Sequence, residues 1–243
     1  MSGAALEVSG LSRAFGGLKA VGDLALRAGR GEILGLIGPN GSGKTTALNL
    51  LSGALKPDGG SMRLDGEELA GRSAFRIARL GVARTFQLVR PLPSLSVADN
   101  VLAGSAFVAG GGWGAAGRRR AEALLERVGL PGRGGDAPGA LTYVDQKRLE
   151  LARALAGRPK LLLLDEWLAG LTPTELAGGI ALVRSLREEG LTIVLVEHVM
   201  EAIRSLCDRC VVMNAGRRIA EGAPAAVLSD PEVVRSYLGD DDA

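Results

Sequence analysis

The most informative stretch of this sequence is the run Gly38-Pro39-Asn40-Gly41-Ser42-Gly43-Lys44-Thr45-Thr46. It fits G-x-x-x-x-G-K-[ST], the pattern of a phosphate-binding loop known as the P-loop. The apolar run 33–37 before it predicts a buried strand, and the run 45–51 behind it predicts a helix. Glycines let successive backbone N–H groups point at a polyphosphate, and a helix N-terminus adds unpaired donors. The stretch therefore predicts that residues 38–46 bind a nucleotide.

Two loop residues and two later carboxylates have defined chemical roles in such a site. Lys44 is expected to reach the β- and γ-phosphates, and the Thr45 hydroxyl is expected to ligate Mg²⁺. Further along, the apolar run 161–164 ends in Asp165 and Glu166. A buried strand has no use for charge at its tip unless the tip faces a ligand. We therefore expect Asp165 to hold Mg²⁺ and Glu166 to orient the attacking water.

Three other side chains are candidates for chemistry. His198 is the only histidine and follows the strand-like run 192–196; a lone histidine there is usually structural, but after these two motifs it becomes a candidate donor to the γ-phosphate. Cys207 and Cys210 form a C-x-x-C pair, yet the chain has no second cysteine pair to complete a zinc site. We interpret the cysteines as reduced, buried, small apolar residues.

Composition and charge limit the classes of function. The chain has 243 residues, 47% of them hydrophobic and 23% charged, which indicates one large α/β domain or two small ones. The net charge of +2 argues against nucleic acid as the main partner. The basic run 118–120 is expected to be the solvated start of a helix. No apolar run approaches the ~18–20 residues that span a bilayer, and no signal peptide opens the chain. We expect a cytoplasmic protein whose membrane contact is indirect.

The order of predicted elements indicates an α/β fold. Between about 89 and 156, strand-like runs are absent and helical patterns alternate with Gly/Pro loops, which predicts a helical insertion. On either side, strands alternate with helices, which predicts parallel βαβ units. A capping box with proline at the first helical position predicts a helix start at 172–175. The predicted strands are two within 6–28, then 33–37, 60–66, 82–86, 161–165, 192–196 and 210–213.

The P-loop, the two carboxylates after the 161–164 run and His198 together resemble the ATP-binding cassette (ABC) ATPases, and the resemblance covers nearly the whole chain. It implies a P-loop NTPase (ABC ATPase) fold with an antiparallel β subdomain and a helical signature subdomain. It implies a single domain over 1–243. Residues 1–88 and 157–243 would form the catalytic core, and about 89–156 the helical subdomain.

The same resemblance implies roles for further residues. Phe15 stands where these ATPases stack an aromatic ring on adenine. Gln87 matches their Q-loop, which touches Mg²⁺ or the attacking water and meets the transmembrane partner. Gln87 and the switch histidine His198 join Glu166 as the implied catalytic residues. The run 141–146 matches the signature motif, which is normally close to L-S-G-G-Q.

The signature residues Thr142, Val144 and Asp145 are implied to contact the nucleotide bound to the opposite subunit. Three positions depart from the family pattern: Val144 replaces the second signature glycine, Trp167 replaces a proline, and Thr172 replaces an aspartate. Val144 is expected to matter most. In these ATPases the signature helix points its N-terminus at the γ-phosphate of the opposite subunit. A β-branched residue adds bulk there, so hydrolysis at that site is expected to be either slow or merely tuned. Trp167 is expected to be a packing variation.

The narrowest resemblance is to the ATPase subunits of branched-chain amino acid importers, through the runs 83–87, 146–153 and 237–239. Urea and amide importers use similar cassettes. The resemblance implies transmembrane permease subunits and a second ABC ATPase subunit, identical or sister, as partners, with peripheral attachment to the cytoplasmic membrane face. ATP would join the two cassettes and hydrolysis would release them. Two alternatives stay open: a soluble ABC ATPase that acts on DNA or ribosomes, and a regulatory subunit that hydrolyses ATP poorly, suggested by Val144 and Thr172.

Overall fold

The computed structural model describes residues 4–106 and 112–238. In these ranges the strands are β1 (Ala4–Phe15), β2 (Leu18–Gly29), β3 (Ile33–Ile37), β4 (Gly59–Leu64), β5 (Glu67–Glu68), β6 (Val82–Arg84), β7 (Leu161–Asp165), β8 (Thr192–Val196), β9 (Arg209–Asn214) and β10 (Arg217–Gly222). The helices are α1 (Lys44–Leu51), α2 (Ala74–Arg79), α3 (Val97–Ser105), α4 (Ala115–Arg127), α5 (Tyr143–Ala156), α6 (Pro173–Glu188), α7 (Met200–Leu206), α8 (Pro224–Leu228) and α9 (Pro231–Leu238), with a short 3₁₀ turn at Pro138–Ala140.

The larger sheet has the strand order β10-β9-β3-β8-β7-β6, and all its strands except β10 are parallel. Every residue of β3, β7 and β8 is buried, which explains their continuous apolar runs. The carboxyl ends of parallel strands meet at one edge of a sheet. That edge therefore carries the P-loop after β3, Asp165 at the end of β7 and His198 after β8. The predicted parallel βαβ arrangement is confirmed.

The smaller sheet has the order β2-β1-β4-β5 and is antiparallel throughout. It shares one apolar core with α1 and with the facing side of the larger sheet. Leu11 of β1, Leu34 of β3 and Leu48 of α1 are all buried in that core. The helix that begins at Lys44 is therefore packed against both sheets, which holds the P-loop in place.

The helices α3, α4 and α5 form the helical part of the molecule. Leu125 of α4 and Leu149 of α5 share a continuous core with Leu162 and Leu164 of β7, so these helices pack directly on the larger sheet. The basic run 118–120 lies in the first half of α4, as predicted. The subdomain boundaries that we assigned at 88/89 and 156/157 stay a prediction.

Local signals account for some element ends, and non-local pairing accounts for others. The Thr172 hydroxyl accepts a bond from the Glu175 N–H, and the Glu175 carboxylate accepts one from the Thr172 N–H, so the predicted capping box is present. The strand predicted over 82–86 ends at Arg84. β10, α8 and α9 were not predicted; β10 is a half-exposed edge strand that only its pairing with β9 defines. The acidic tail 240–242 lies outside the described residues.

Cys207 and Cys210 are both free and buried, as the sequence predicted. They pack on β3 so closely that a Cβ at Gly35 would lie 2.9 Å and 2.8 Å from their Sγ atoms. A hydrogen bond with Cys210, followed by burial, holds the pKa of the Cys207 thiol far above its usual range. The pair therefore contributes packing beneath the P-loop strand.

Candidate active site

The P-loop depends on glycine at two close backbone approaches. A Cβ at Gly38, whose φ is 145°, would lie 2.1 Å from the Met213 carbonyl oxygen. A Cβ at Gly43, whose φ is 104°, would lie 2.3 Å from the Ala20 carbonyl oxygen. No other residue fits these positions without moving the backbone. At Gly41, by contrast, a Cβ would meet nothing within 4 Å, so the loop has open space on the side where a ligand can enter.

Lys44 is buried at the start of α1 with its ammonium inside the loop. Its Nζ donates to the carbonyl oxygens of Gly38 at 2.7 Å and Pro39 at 2.8 Å. Burial, the largest cause, lowers the pKa of Lys44, and the nearby charges of Glu166 and Asp165 oppose that shift. The ammonium is thus held by uncharged acceptors that a polyphosphate can replace with stronger, charge-assisted bonds.

Asp165 ends β7 as a buried carboxylate with one satisfied oxygen. Its Oδ2 accepts a bond from Arg84 Nη2 at 2.7 Å, and both side chains are almost fully buried. Arg84 Nη1 also donates to Asn49 Oδ1 at 2.6 Å on α1. The Asp165 Oδ1 atom is buried without a partner. An unpaired carboxylate oxygen beside a phosphate-binding loop is the kind of group that a hard cation such as Mg²⁺ requires, so the residues fit the metal.

Glu166 follows immediately and is the centre of a hydrogen-bonded group. Gln87 Nε2 donates to Glu166 Oε2 at 2.8 Å, and His198 Nε2 lies 3.0 Å from Glu166 Oε1. The Glu166 N–H donates to the Val196 carbonyl oxygen at 2.8 Å, at the end of β8. The three residues predicted to be catalytic are therefore brought into contact, although 79 residues separate Gln87 from Glu166 in the chain.

A cleft of about 480 Å³ joins Gln87 and Glu166 to the P-loop. Phe15, at the end of β1, lies at its rim with 45% of its surface exposed, and the Arg13 guanidinium lies 5.1 Å from the centre of its ring. An exposed ring at the mouth of a cleft lined by the P-loop is a suitable surface on which a base can stack. The cleft is lined by Phe15, Leu18, Lys19, Ala20, Asn40, Gly41, Ser42, Gly43, Lys44, Thr45, Thr46, Gln87, Glu166, Ala215 and Gly216.

Two family models match this chain. A model described as ABC transporter matches residues 21–169, which is more than half of the sequence. The chain belongs to the ABC transporter ATPase family. A second model, described as branched-chain amino acid ATP-binding cassette transporter, matches residues 217–243 of the cassette. As a member of this family, the cassette is an ATPase, and the fold class predicted from its sequence is confirmed.

Individual relatives match the cassette from end to end. It is 42% identical to the high-affinity branched-chain amino acid transport ATP-binding protein BraF of Pseudomonas aeruginosa, over 99% of the cassette and 100% of BraF. It is 40% identical to LivG of Escherichia coli strain K12, which carries the same description, with the same coverage. Among solved structures, the ADP conformation of the ATP-binding cassette MJ1267 matches with a TM-score of 0.87 at 29% identity, covering 98% of this chain and 100% of that one.

A further solved structure is a dimer. The cassette MJ0796, in a post-hydrolysis state bound to ADP and phosphate, matches with a TM-score of 0.81 at 25% identity, over 90% of this chain and 98% of that one. The similarity to these structures extends over 90–98% of this chain. In the part of this cassette that the structure describes, no helix has both the length and the apolar character to cross a bilayer.

The signature residues of the cassette lie apart from the cleft. The Thr142 hydroxyl caps α5 by accepting a bond from the Asp145 N–H at 3.2 Å, and Asp145 pairs with Arg148 at 3.1 Å. Val144 is half-buried and lines a small cleft with Trp167. None of the three lines the cleft that holds the P-loop. Their implied contact with a nucleotide on the opposite subunit stays a prediction.

Three charged residues that position this site were not singled out from the sequence: Arg84, Lys147 and Glu197. Glu197 Oε1 accepts a bond from the Leu168 N–H at 2.6 Å, and its Oε2 is buried without a partner. Burial, the largest cause, raises the pKa of Glu197 to about 7. A signal was present for Arg84, because a charged residue inside the strand predicted over 82–86 requires a buried partner.

Proposed function

We propose that the cassette is the ATP-hydrolysing subunit of an importer for branched-chain or related amino acids. The relatives that carry this description match it end to end at 40–42% identity, and the second family model supports the same solute class. The observation that carries the hydrolytic part is the bonded group of Gln87, Glu166 and His198 beside the P-loop.

In this proposal ATP lies in the cleft with its base against Phe15 and its phosphates in the loop 38–46. Lys44 exchanges its two carbonyl acceptors for the β- and γ-phosphates. The Asp165 Oδ1 atom, the Thr45 hydroxyl and the Gln87 side chain are the groups that would hold Mg²⁺. When bound, the ion supplies charge neutralisation to the phosphates.

Glu166 is proposed to activate the attacking water. Its carboxylate takes a proton from the water as the water oxygen bonds to the γ-phosphorus, and the bond to the β–γ bridging oxygen breaks to release ADP and phosphate. Gln87 and His198 hold both carboxylate oxygens in one orientation before ATP binds. His198 is proposed to transfer its Nε2–H bond from Glu166 to the γ-phosphate when ATP is present.

The groove proposed to receive a permease helix lies between the larger sheet and the helical part. It measures about 500 Å³ and is bordered by Ala78, Phe86 and Leu92, with Phe86 and Leu92 more than 40% exposed. An apolar side chain from a permease subunit would cover these residues. Phe86 precedes Gln87 in the chain, so the groove adjoins a residue that touches Glu166. The cassette would then sit peripherally on the cytoplasmic face of the membrane.

A second cassette is proposed to complete the site. Thr142, Val144 and Asp145 do not line the cleft that contains the P-loop, and a solved structure similar to this one is a dimer. Head-to-tail pairing would place the start of α5 from one subunit against the phosphates bound by the other, where a helix N-terminus stabilises negative charge. The partner is either a second copy or a sister subunit.

The central test is Glu166→Gln. This variant keeps the size of the side chain but loses its basicity, so ATP should bind while turnover falls by roughly 10²–10⁴-fold. Since hydrolysis is proposed to reopen the dimer, the variant should accumulate as an ATP-bound dimer on size-exclusion chromatography with MgATP. Glu201→Gln, an exposed change on α7, is the matched control and should behave like the parent. Parental turnover in Glu166→Gln would reject the proposed mechanism.

A further inference from the structure

The turn 166–169, which carries Glu166, is joined to helix α5 by a buried lysine. Lys147 Nζ donates to the carbonyl oxygens of Glu166 at 3.2 Å, Trp167 at 3.1 Å and Ala169 at 2.7 Å. The ammonium has three donors, and the turn supplies an acceptor for each. Lys147 is only 4% exposed, so water cannot substitute for these bonds. The buried ammonium therefore keeps its hydrogen-bond acceptors only while the turn keeps its position.

Trp167 makes a second connection between the turn and helix α5. Its indole Nε1–H donates to the Lys147 carbonyl oxygen at 3.0 Å, and the ring is 4% exposed. Trp167 occupies the position at which the sequence departs from the expected proline. Because proline has no side-chain donor, this bond is specific to chains with tryptophan here. The side chain is thus more than a packing variation.

The opposite side of the turn is held by the end of β8. The Glu166 N–H bonds to the Val196 carbonyl oxygen, and the Leu168 N–H bonds to the Glu197 carboxylate. Glu166 itself has a φ of 50°, in the left-handed region. A non-glycine residue persists there only where its surroundings impose the conformation. Bonds to β8 and to α5 together supply that constraint.

We propose that Lys147 and Trp167 are positioning residues for ATP hydrolysis, which make the start of α5 and the Glu166 turn move as one body. This rests on the proposed function, in which Glu166 activates water. Val144, three residues before Lys147 on α5, lines the same small cleft as Trp167, so displacement of the start of α5 is passed to the turn. Nucleotide contacts made by one subunit at the start of α5 would then adjust Glu166 of that same subunit.

The first test replaces the lysine. Lys147→Met removes all three donors and keeps the apolar stem, so the kcat for ATP hydrolysis should fall about ten-fold or more, because small misplacements of a catalytic group are costly. The KM for ATP should change by less than about two-fold, since the P-loop is untouched. Lys147→Gln keeps two donors and should recover most of the lost kcat. Lys56→Met, an exposed change, is the matched control.

The second test is milder and does not depend on the lysine variant folding. Trp167→Phe keeps an aromatic ring and removes only the indole donor, so kcat should fall about three-fold at constant KM. The chain has two tryptophans, and the other, Trp113, is 54% exposed. In a Trp113→Phe background, fluorescence reports on Trp167 alone. Adding Lys147→Met should shift its emission to longer wavelength as the turn loosens.

The outcomes separate this inference from the proposed function. Parental kcat in both Lys147→Met and Trp167→Phe, while Glu166→Gln loses turnover, would reject the positioning role and leave the function intact. A fall in kcat that only accompanies loss of ATP binding would also reject it. If Glu166→Gln retains turnover, both proposals are wrong. If Lys147→Met does not fold, Trp167→Phe decides by its kcat and KM.

Discussion

Most of the predicted site residues lie in two regions, the carboxyl edge of the larger sheet and the start of α5. The two regions differ in whether their residues line a common cleft. At the sheet edge, the loop residues 40–46, Gln87 and Glu166 line one cleft. At the start of α5, Thr142 and Asp145 bond to groups of their own helix. The fold of one chain assembles the first group, whereas the nucleotide contact of the second group depends on the proposed second cassette.

The largest expected effect would break the sheet-edge half of this comparison. Lys44→Ala removes the charge that the loop holds for phosphate, so ATP affinity should fall by about 10²-fold or more. The fold should survive because the ammonium bonds only to loop groups within the described chain. Isothermal titration calorimetry measures the affinity, with the exposed Lys56→Ala as control. Undiminished binding would overturn the P-loop assignment.

The second prediction concerns the support behind that edge. Burial raises the pKa of Glu197 from its usual 4.5 to about 7, so the folded chain binds an extra proton between these values. Protonated Glu197 contributes up to about 3 kcal/mol to the free energy of unfolding. This contribution is fully present below pH 4.5 and is lost as the pH rises through 7. Glu197→Gln should remove this loss. The comparison is made by urea denaturation at pH 5 and pH 8.

Between pH 5 and pH 8, the free energy of unfolding of the parent should therefore fall relative to that of Glu197→Gln. Glu201→Gln, which changes an exposed carboxylate, should not alter the parent's pH dependence in this way. Lys147 and Glu166 are the charged groups that act on Glu197, the first lowering its pKa and the second raising it. If the parent and Glu197→Gln differ in unfolding free energy by the same amount at pH 5 and pH 8, burial does not raise the pKa of Glu197 as argued.

A third prediction sharpens the α5 half of the comparison. Val144→Gly should raise the ATPase rate of the homodimer several-fold, because a smaller residue lets the helix N-terminus approach the phosphate on the opposite subunit. Adding a sister cassette should likewise accelerate the parent. Val144 also lines the cleft with Trp167 and does not have a positive φ. An unchanged or lower rate in the glycine variant would mean that valine is fitted to that cleft.

The smallest effect is expected at the rim. Phe15→Ala should weaken ATP and GTP binding by about 1 kcal/mol, at the low end for base–aromatic stacking because the ring is exposed. Stacking tolerates either base, so both nucleotides should weaken alike. Leu18→Ala, a change at another exposed apolar residue of the same cleft, is the control. Weakening of only one nucleotide would mean that Phe15 contributes to base recognition.

Much of the fold and of the site could be predicted because the relevant signals are local. The P-loop pattern, the apolar runs of β3, β7 and β8 and the capping box at Thr172 each lie within a few residues. The short edge strand β10 and helices α8 and α9 escaped prediction, because β10 is half-exposed without a clear alternation and the two helices have only five and eight residues. The assignment of Trp167 to packing was incomplete because its indole bonds to the Lys147 carbonyl oxygen, 20 residues away in the chain.

The sequence by itself determined which residues are predicted to carry the chemistry: the loop 38–46, Asp165, Glu166 and His198 follow from spacing and from their place after predicted buried strands. Only the tertiary structure decided which groups support them. Arg84 meets Asp165 across 81 residues, and Lys147 reaches the carbonyl oxygens of the Glu166 turn. A buried charge must find its partner in three dimensions, because desolvation penalises it wherever no acceptor or counter-charge is brought within bonding distance.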